Sequence, residues 1–108
     1  MADRAPAMTE ADRRAQRRHR REVKEARAAG VLEGLCAALG PQSLCIDCGA
    51  HYGTVTSRLA ATGAAVHSFE PDPHSWQVLT ETCGHLPNVT LHNAAVATQA
   101  GTLTLYRN

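Results

Sequence analysis

Four residues in the middle of this chain have the types and the spacing needed to hold a small polar ligand. Asp47, Gly49 and Gly53 fall in the run Leu44-Cys45-Ile46-Asp47-Cys48-Gly49-Ala50-His51-Tyr52-Gly53, and Glu70 stands in Ser68-Phe69-Glu70-Pro71. Glycine at 49 lets the backbone turn sharply with no Cβ to block a ligand, and Gly53 does the same where a helix would begin. Glu70 lies 21 residues beyond Gly49, close to the separation of about 20 at which a carboxylate ending a second strand reaches the hydroxyls of a ribose. Taken singly, the glycines could be ordinary turn residues and Glu70 a helix-capping partner before Pro71. Their joint spacing points instead to a nucleoside pocket.

The acid before the first glycine narrows the choice of nucleoside. Dinucleotide sites use G-x-G-x-x-G so that backbone N–H groups and a helix N-terminus receive a pyrophosphate. This loop has two of those glycines, and Asp47 would repel a diphosphate. The same carboxylate suits the ammonium of an amino-acid moiety, directly or through water, and S-adenosylmethionine carries one. A nicotinamide-binding Rossmann domain is the weaker alternative.

These residues need a β-α-β framework to position them, and the apolar pattern supplies it. Leu44 to Cys48 reads as a buried strand, Thr54 to Ala61 as a helix with Val55 and Leu59 on its inner face, and Ala65 to Phe69 as a second strand. Pro71-Asp72-Pro73 opens a further helix over His74 to Cys83 that turns Trp76, Leu79 and Thr80 inward, and Gly84 stops it. Val89 to Asn93 is a third strand. Thr102 to Tyr106 alternates and predicts a fourth, half-exposed strand. Short strands separated by helices predict a parallel sheet, with its first strand left unpaired along one edge. The expectation is therefore the N-terminal part of a larger domain, truncated after residue 108, with residues 43–108 as the partial cofactor domain.

Residues 1–42 are different. Nine of the eleven Lys and Arg residues stand between Arg4 and Arg27, although the chain as a whole carries a formal charge of only +1. Met1 to Thr9 predicts a frayed end, Glu10 to Ala29 a solvated basic helix, and Val31 to Leu39 a second, short helix docked on the body after a break at Gly30. Asp12, Glu22 and Glu25 dilute the basic charge, so nucleic acid is not expected as a partner; an interaction module acting through this helix is a further alternative. No apolar run approaches the roughly 20 residues of a membrane span, no signal peptide opens the chain, and a cytoplasmic location follows. Cys45 and Cys48 form a C-x-x-C, but residues three apart on a strand face opposite ways and cannot chelate one ion. No metal is expected, and Cys36, Cys45, Cys48 and Cys83 read as free thiols.

Several motifs in order resemble the FkbM family of S-adenosylmethionine-dependent methyltransferases. They are Ile46-Asp47-Cys48-Gly49-Ala50-His51-Tyr52-Gly53-Thr54-Val55-Thr56, then Gly63-Ala64-x-Val66-x-x-Phe69-Glu70-Pro71-Asp72-Pro73, then Asn88-Val89-x-Leu91-x-Asn93-x-Ala95-Val96, and Gly101-x-Leu103-x-Leu105-Tyr106. The resemblance implies the N-terminal half of a class I, Rossmann-like, doubly wound methyltransferase fold, and O-methylation of a hydroxyl on a saccharide or natural product. It implies that Asp47 and Gly49, in the loop with Ala50, His51 and Gly53, hold the methionine end of the cofactor. Glu70 then takes the ribose, Asn93 and the Ala94 N–H take the adenine, and Pro71 packs near the ring. The family usually has Asn at the position of His51 and often Val at that of Cys48. Its later acceptor-site motif has no counterpart here, and no catalytic residue is assigned.

Overall fold

A computed structural model describes residues 6–102, 104 and 105. The chain divides into two compact units, Met1–Gly34 and Leu35–Asn108. The first consists of most of α1 (Glu10–Ala37), a 28-residue helix with no buried residue. Its start is set by a reciprocal capping box: the Asp12 N–H donates to Thr9 Oγ1 at 3.0 Å, and the Thr9 N–H donates to Asp12 Oδ2 at 2.9 Å. Thr9 is thus a cap and not the end of a frayed tail. The break expected at Gly30 is absent, and one helix replaces two. A Cβ at Gly30 or Gly34 would meet nothing within 4 Å, and an exposed glycine costs a helix only about 1 kcal/mol. The flanking Ala, Arg, Glu and Leu residues outweigh that. Of the residues expected to dock, Val31 and Leu35 are 73% and 51% exposed, while Leu32, Cys36 and Leu39 are half-buried. No helix among the described residues is long and apolar enough to cross a membrane.

The second unit is a β-α-β-α-β layer: β1 (Leu44–Cys48), α2 (Thr54–Ala60), β2 (Ala65–Phe69), α3 (Pro73–Cys83) and β3 (Val89–His92). All pairings are parallel and the strand order is β1-β2-β3, with Asp47 opposite Ser68 and Phe69 opposite His92. Among the described residues the outer edge of β1 has no partner strand. The core lies on one side of the sheet, where Val66 and Leu79 are fully buried and Trp76, Leu86, Val89 and Leu91 pack around Ala50, Leu79 and Cys83. The other face carries Leu44 and Ile46, 66% and 64% exposed. On that face His67 Nδ1 lies 3.0 Å from His92 Nε2, and the Phe69 and His92 rings stack at 4.5 Å.

Local chemistry explains the helix ends. Asp72 caps α3 by accepting from the Ser75 N–H at 2.9 Å, and Pro73 follows at the first turn, where a missing N–H costs nothing. Asn88 Nδ2 donates to the carbonyls of Ala60 and Ala64 at 2.9 and 2.8 Å, tying the end of α2 to the start of β2. Two inward residues differ from expectation. Val55 is 40% exposed and Thr56 is buried in its place, because the Thr56 hydroxyl has the Asp47 carboxylate and the Ser68 hydroxyl as partners. Thr80 is exposed, its hydroxyl turned back to the Trp76 carbonyl at 2.8 Å. β3 stops at His92, one residue short of Asn93. No strand is present at 102, 104 or 105, and the rest of the expected 102–106 strand lies outside the described residues. The four cysteines are free, and no group of three or more metal-ligating side chains exists among the described residues.

Candidate cofactor-binding site

The loop 49–53 and the segment 70–72 meet at the carboxyl ends of β1 and β2, the end of a parallel sheet where ligands bind. The loop is anchored from below, because the N–H groups of Gly49 and Ala50 both donate to the Phe69 carbonyl, at 2.9 and 3.0 Å. It then passes through three left-handed residues, Gly49 (φ 74°), His51 (φ 54°) and Gly53 (φ 96°). The two glycines do different work. A Cβ at Gly53 would stand 2.7 Å from Cys83 Sγ and 3.1 Å from Leu79 Cδ1, so glycine is needed there for packing between α2 and α3. A Cβ at Gly49 would meet nothing within 4 Å, which leaves open space over the backbone at the strand end.

Glu70 is 6% exposed and joins the two segments. Its Oε1 accepts from the His51 N–H at 2.7 Å and its Oε2 from the Asp72 N–H at 2.9 Å. Each carboxylate oxygen retains a second acceptor direction, so a ribose hydroxyl can be added to this arrangement. The Glu70 N–H donates to the His92 carbonyl at 3.0 Å, which brings the end of β3 alongside. Asn93 and Ala94 follow it in exposed positions, and Pro71 is half-buried. Asp47 sits on the helix-covered face of β1, with Oδ2 accepting from Thr56 Oγ1 at 2.7 Å. The structure therefore gathers Asp47, the 49–53 loop and Glu70 at one strand-end cluster, with Pro71 next to Glu70 in the chain and Asn93 and Ala94 following His92, whose carbonyl accepts from the Glu70 N–H.

Three residues of this region escape a reading of the sequence. Thr56 and Ser68 are fully buried hydroxyls behind Asp47, and no local pattern marks them, because α2 and β2 both mix polar and apolar residues. Tyr52, 43% exposed, stands edge-on to both His51 and His74 at 4.1 and 5.8 Å between ring centroids. An aromatic inside a glycine loop was the available clue.

This three-stranded unit is the first part of a Rossmann-like class I methyltransferase fold. Comparison with known proteins agrees. The chain is similar to ribosomal RNA small subunit methyltransferase H of Novosphingobium aromaticivorans, 39% identical over 67 residues that cover 57% of this chain and 20% of that protein. Its structure resembles the crystal structure of 23S rRNA methyltransferase ErmE with a TM-score of 0.55 and 25% identity, over 68% of this chain and 31% of the other. The chain thus spans about a fifth and a third of these two relatives. No protein-family model matches it. S-adenosylmethionine is the cofactor of the methyltransferases to which the chain is similar, as Asp47 and the FkbM resemblance implied.

The site fits that cofactor: open space over Gly49, a carboxylate on each of two adjacent strand ends, and no loop glycine pattern for a pyrophosphate. The expected acceptor is corrected. Both relatives act, by name, on ribosomal RNA, which overturns a saccharide acceptor and the expectation that nucleic acid is not a partner. Asp12, Glu22 and Glu25 among the basic residues of α1 are therefore no ground for excluding a nucleic-acid partner.

Proposed function

We propose that this chain is the S-adenosylmethionine-binding part of an RNA methyltransferase. The observation that carries this is the placement of the Asp47 and Glu70 carboxylates on neighbouring strand ends, flanking a left-handed glycine loop pinned to β2. When bound, the cofactor supplies a methyl group activated by its sulfonium. In this reading Asp47 holds the ammonium, Gly49, Ala50, His51 and Gly53 shape the floor under the methionine end, and Glu70 accepts from the ribose hydroxyls. Pro71, Asn93 and the Ala94 N–H border the adenine. The motif order favours an FkbM-like cofactor half, while the acceptor follows the two relatives.

Helix α1 supports a nucleic-acid acceptor. Arg13, Arg17, Arg20, Lys24 and Arg27 recur at intervals of three and four residues and so share one face over about 21 Å of helix axis. All are exposed. Glu10 draws on Arg13, Arg14 and Arg17 at 3.1, 3.7 and 3.1 Å, at one end of that face. Such a stripe neutralises phosphates and makes binding salt-dependent.

Calorimetric titration tests the cofactor half. Binding of S-adenosylmethionine that is lost in Glu70→Gln, with no binding of NAD, is the expected result; binding of NAD alone would sink the proposal. Fluorescence anisotropy with a labelled RNA tests the acceptor half, for which the expected result is affinity that falls steeply with salt and is reduced in a Lys24→Glu, Arg27→Glu variant.

A further inference from the structure

Asp47, Thr56 and Ser68 belong to three different elements, β1, α2 and β2, and meet in one hydrogen-bonded chain. Thr56 Oγ1 donates to Asp47 Oδ2 at 2.7 Å and lies 2.7 Å from Ser68 Oγ. Both hydroxyl residues are 0% exposed. A threonine has one hydroxyl proton, and that of Thr56 is committed to the carboxylate. Ser68 must therefore be the donor in the second contact, so the chain runs in one direction, from Ser68 to Thr56 to Asp47. Ser68 is also the register partner of Asp47 across the β1–β2 ladder, so the two side chains stand next to each other on the helix-covered face of the sheet, with Thr56 over both.

We infer that Thr56 and Ser68 are positioning residues for the amino-acid end of the cofactor. They hold the Asp47 carboxylate in one orientation by engaging Oδ2 from inside the fold, and Oδ1 is left to the ligand ammonium. A carboxylate fixed in this way meets a cation without first giving up rotamer freedom, and charge-assisted hydrogen bonds are the strong ones. Thr56 and Ser68 are fully buried and do not themselves titrate, so their effect on Asp47 is on geometry. The inference rests on the cofactor reading above and adds the source of Asp47's orientation.

The test compares two ligands that share a 5′-thioadenosine core and differ in the sulfur, a sulfonium in one and a neutral thioether in the other, and at the far end. S-adenosylmethionine carries the ammonium, and methylthioadenosine lacks the amino-acid moiety altogether. Calorimetry on the full chain should show Thr56→Val, a change of nearly equal volume, weakening S-adenosylmethionine by about tenfold. Methylthioadenosine affinity should be unchanged, and Thr56→Ser should restore the S-adenosylmethionine value. Ser68→Ala, which leaves the Thr56 to Asp47 bond in place, should show the same selectivity with a smaller loss, and it carries the test if Thr56→Val does not fold. A role confined to holding α2 on the sheet would weaken both ligands alike, and that result, or no loss in either variant, overturns the inference alone. Wild-type chain that binds neither ligand overturns the cofactor reading and the inference with it.

Discussion

The backbone N–H of His51 donates to Glu70 Oε1 at 2.7 Å, so the loop after β1 is held by the residue that ends β2. Two loops from two strands share one buried carboxylate, whose other oxygen accepts from the Asp72 N–H. The ribose-binding candidate is therefore also a structural tie.

Glu70→Ala should then be costly before any ligand is considered. It leaves two partly buried backbone donors without their acceptor, and about 1–3 kcal/mol per fully buried unsatisfied group is the upper bound on the cost of each. Glu70→Gln keeps the shape and one acceptor oxygen and should cost less. Urea denaturation followed by circular dichroism distinguishes them, and equal stability of Glu70→Ala and wild type would disprove the tie.

His51 has a left-handed backbone at φ 54°, a conformation that Asn, Asp and His tolerate better than other non-glycine residues. His51→Asn should be neutral, His51→Gly neutral or more stable, and His51→Val less stable by about 1–2 kcal/mol. Chemical denaturation of the three variants gives the order.

Gly49 and Gly53 should separate stability from binding. Gly53→Ala adds overpacking against Cys83 and Leu79, about 1–3 kcal/mol, to the strain of its left-handed backbone. Gly49→Ala carries the backbone strain alone, about 1–2 kcal/mol, and places its methyl in the open space over the strand end. Thermal melts should rank Gly53→Ala as the more damaging, while cofactor titration of the folded Gly49→Ala chain should show lost affinity.

On α1, Gly30→Ala should raise helix stability by about 1 kcal/mol, since the new methyl meets nothing and the helix is already continuous. The capping box should respond to acid. Hydrogen bonds from the Thr9 backbone, then from its side chain, hold the Asp12 carboxyl below its ordinary value. A depressed carboxyl contributes its stabilisation above the ordinary carboxylate range and loses it as pH falls through the lowered value. Helicity of α1 should thus decline only at the acid end of that range, and Thr9→Ala should remove part of it at neutral pH.

The β-α-β order was legible because glycines, prolines and short apolar runs punctuate it, and β1 and β2 lie within the expected limits. Burial on α2 was not. A helix of seven residues is too short for periodicity to define a face, and Val55 outranks Thr56 on hydropathy alone. Only the partners Asp47 and Ser68, distant in sequence, make Thr56 an inward residue. Gly30 misled in the opposite sense, since its local cost is smaller than the summed preference of its neighbours. The 49–53 loop and Glu70 were legible from spacing, but the hydrogen bonds that turn Glu70 into a bridge depend on a left-handed backbone at a histidine, which no composition rule announces.

The histidine pair on the uncovered face offers a way to read strand alignment in solution. If His67 Nδ1 and His92 Nε2 share a hydrogen bond at 3.0 Å, one nitrogen carries the proton and the other does not, so the two imidazoles adopt correlated tautomers that nitrogen chemical shifts report. The Phe69 ring stacked on His92 adds an upfield ring-current shift to the same signals. A slip of one residue between β2 and β3 would carry His92 to the opposite face and erase both signatures at once. Two side chains thereby act as a built-in gauge of the sheet's register.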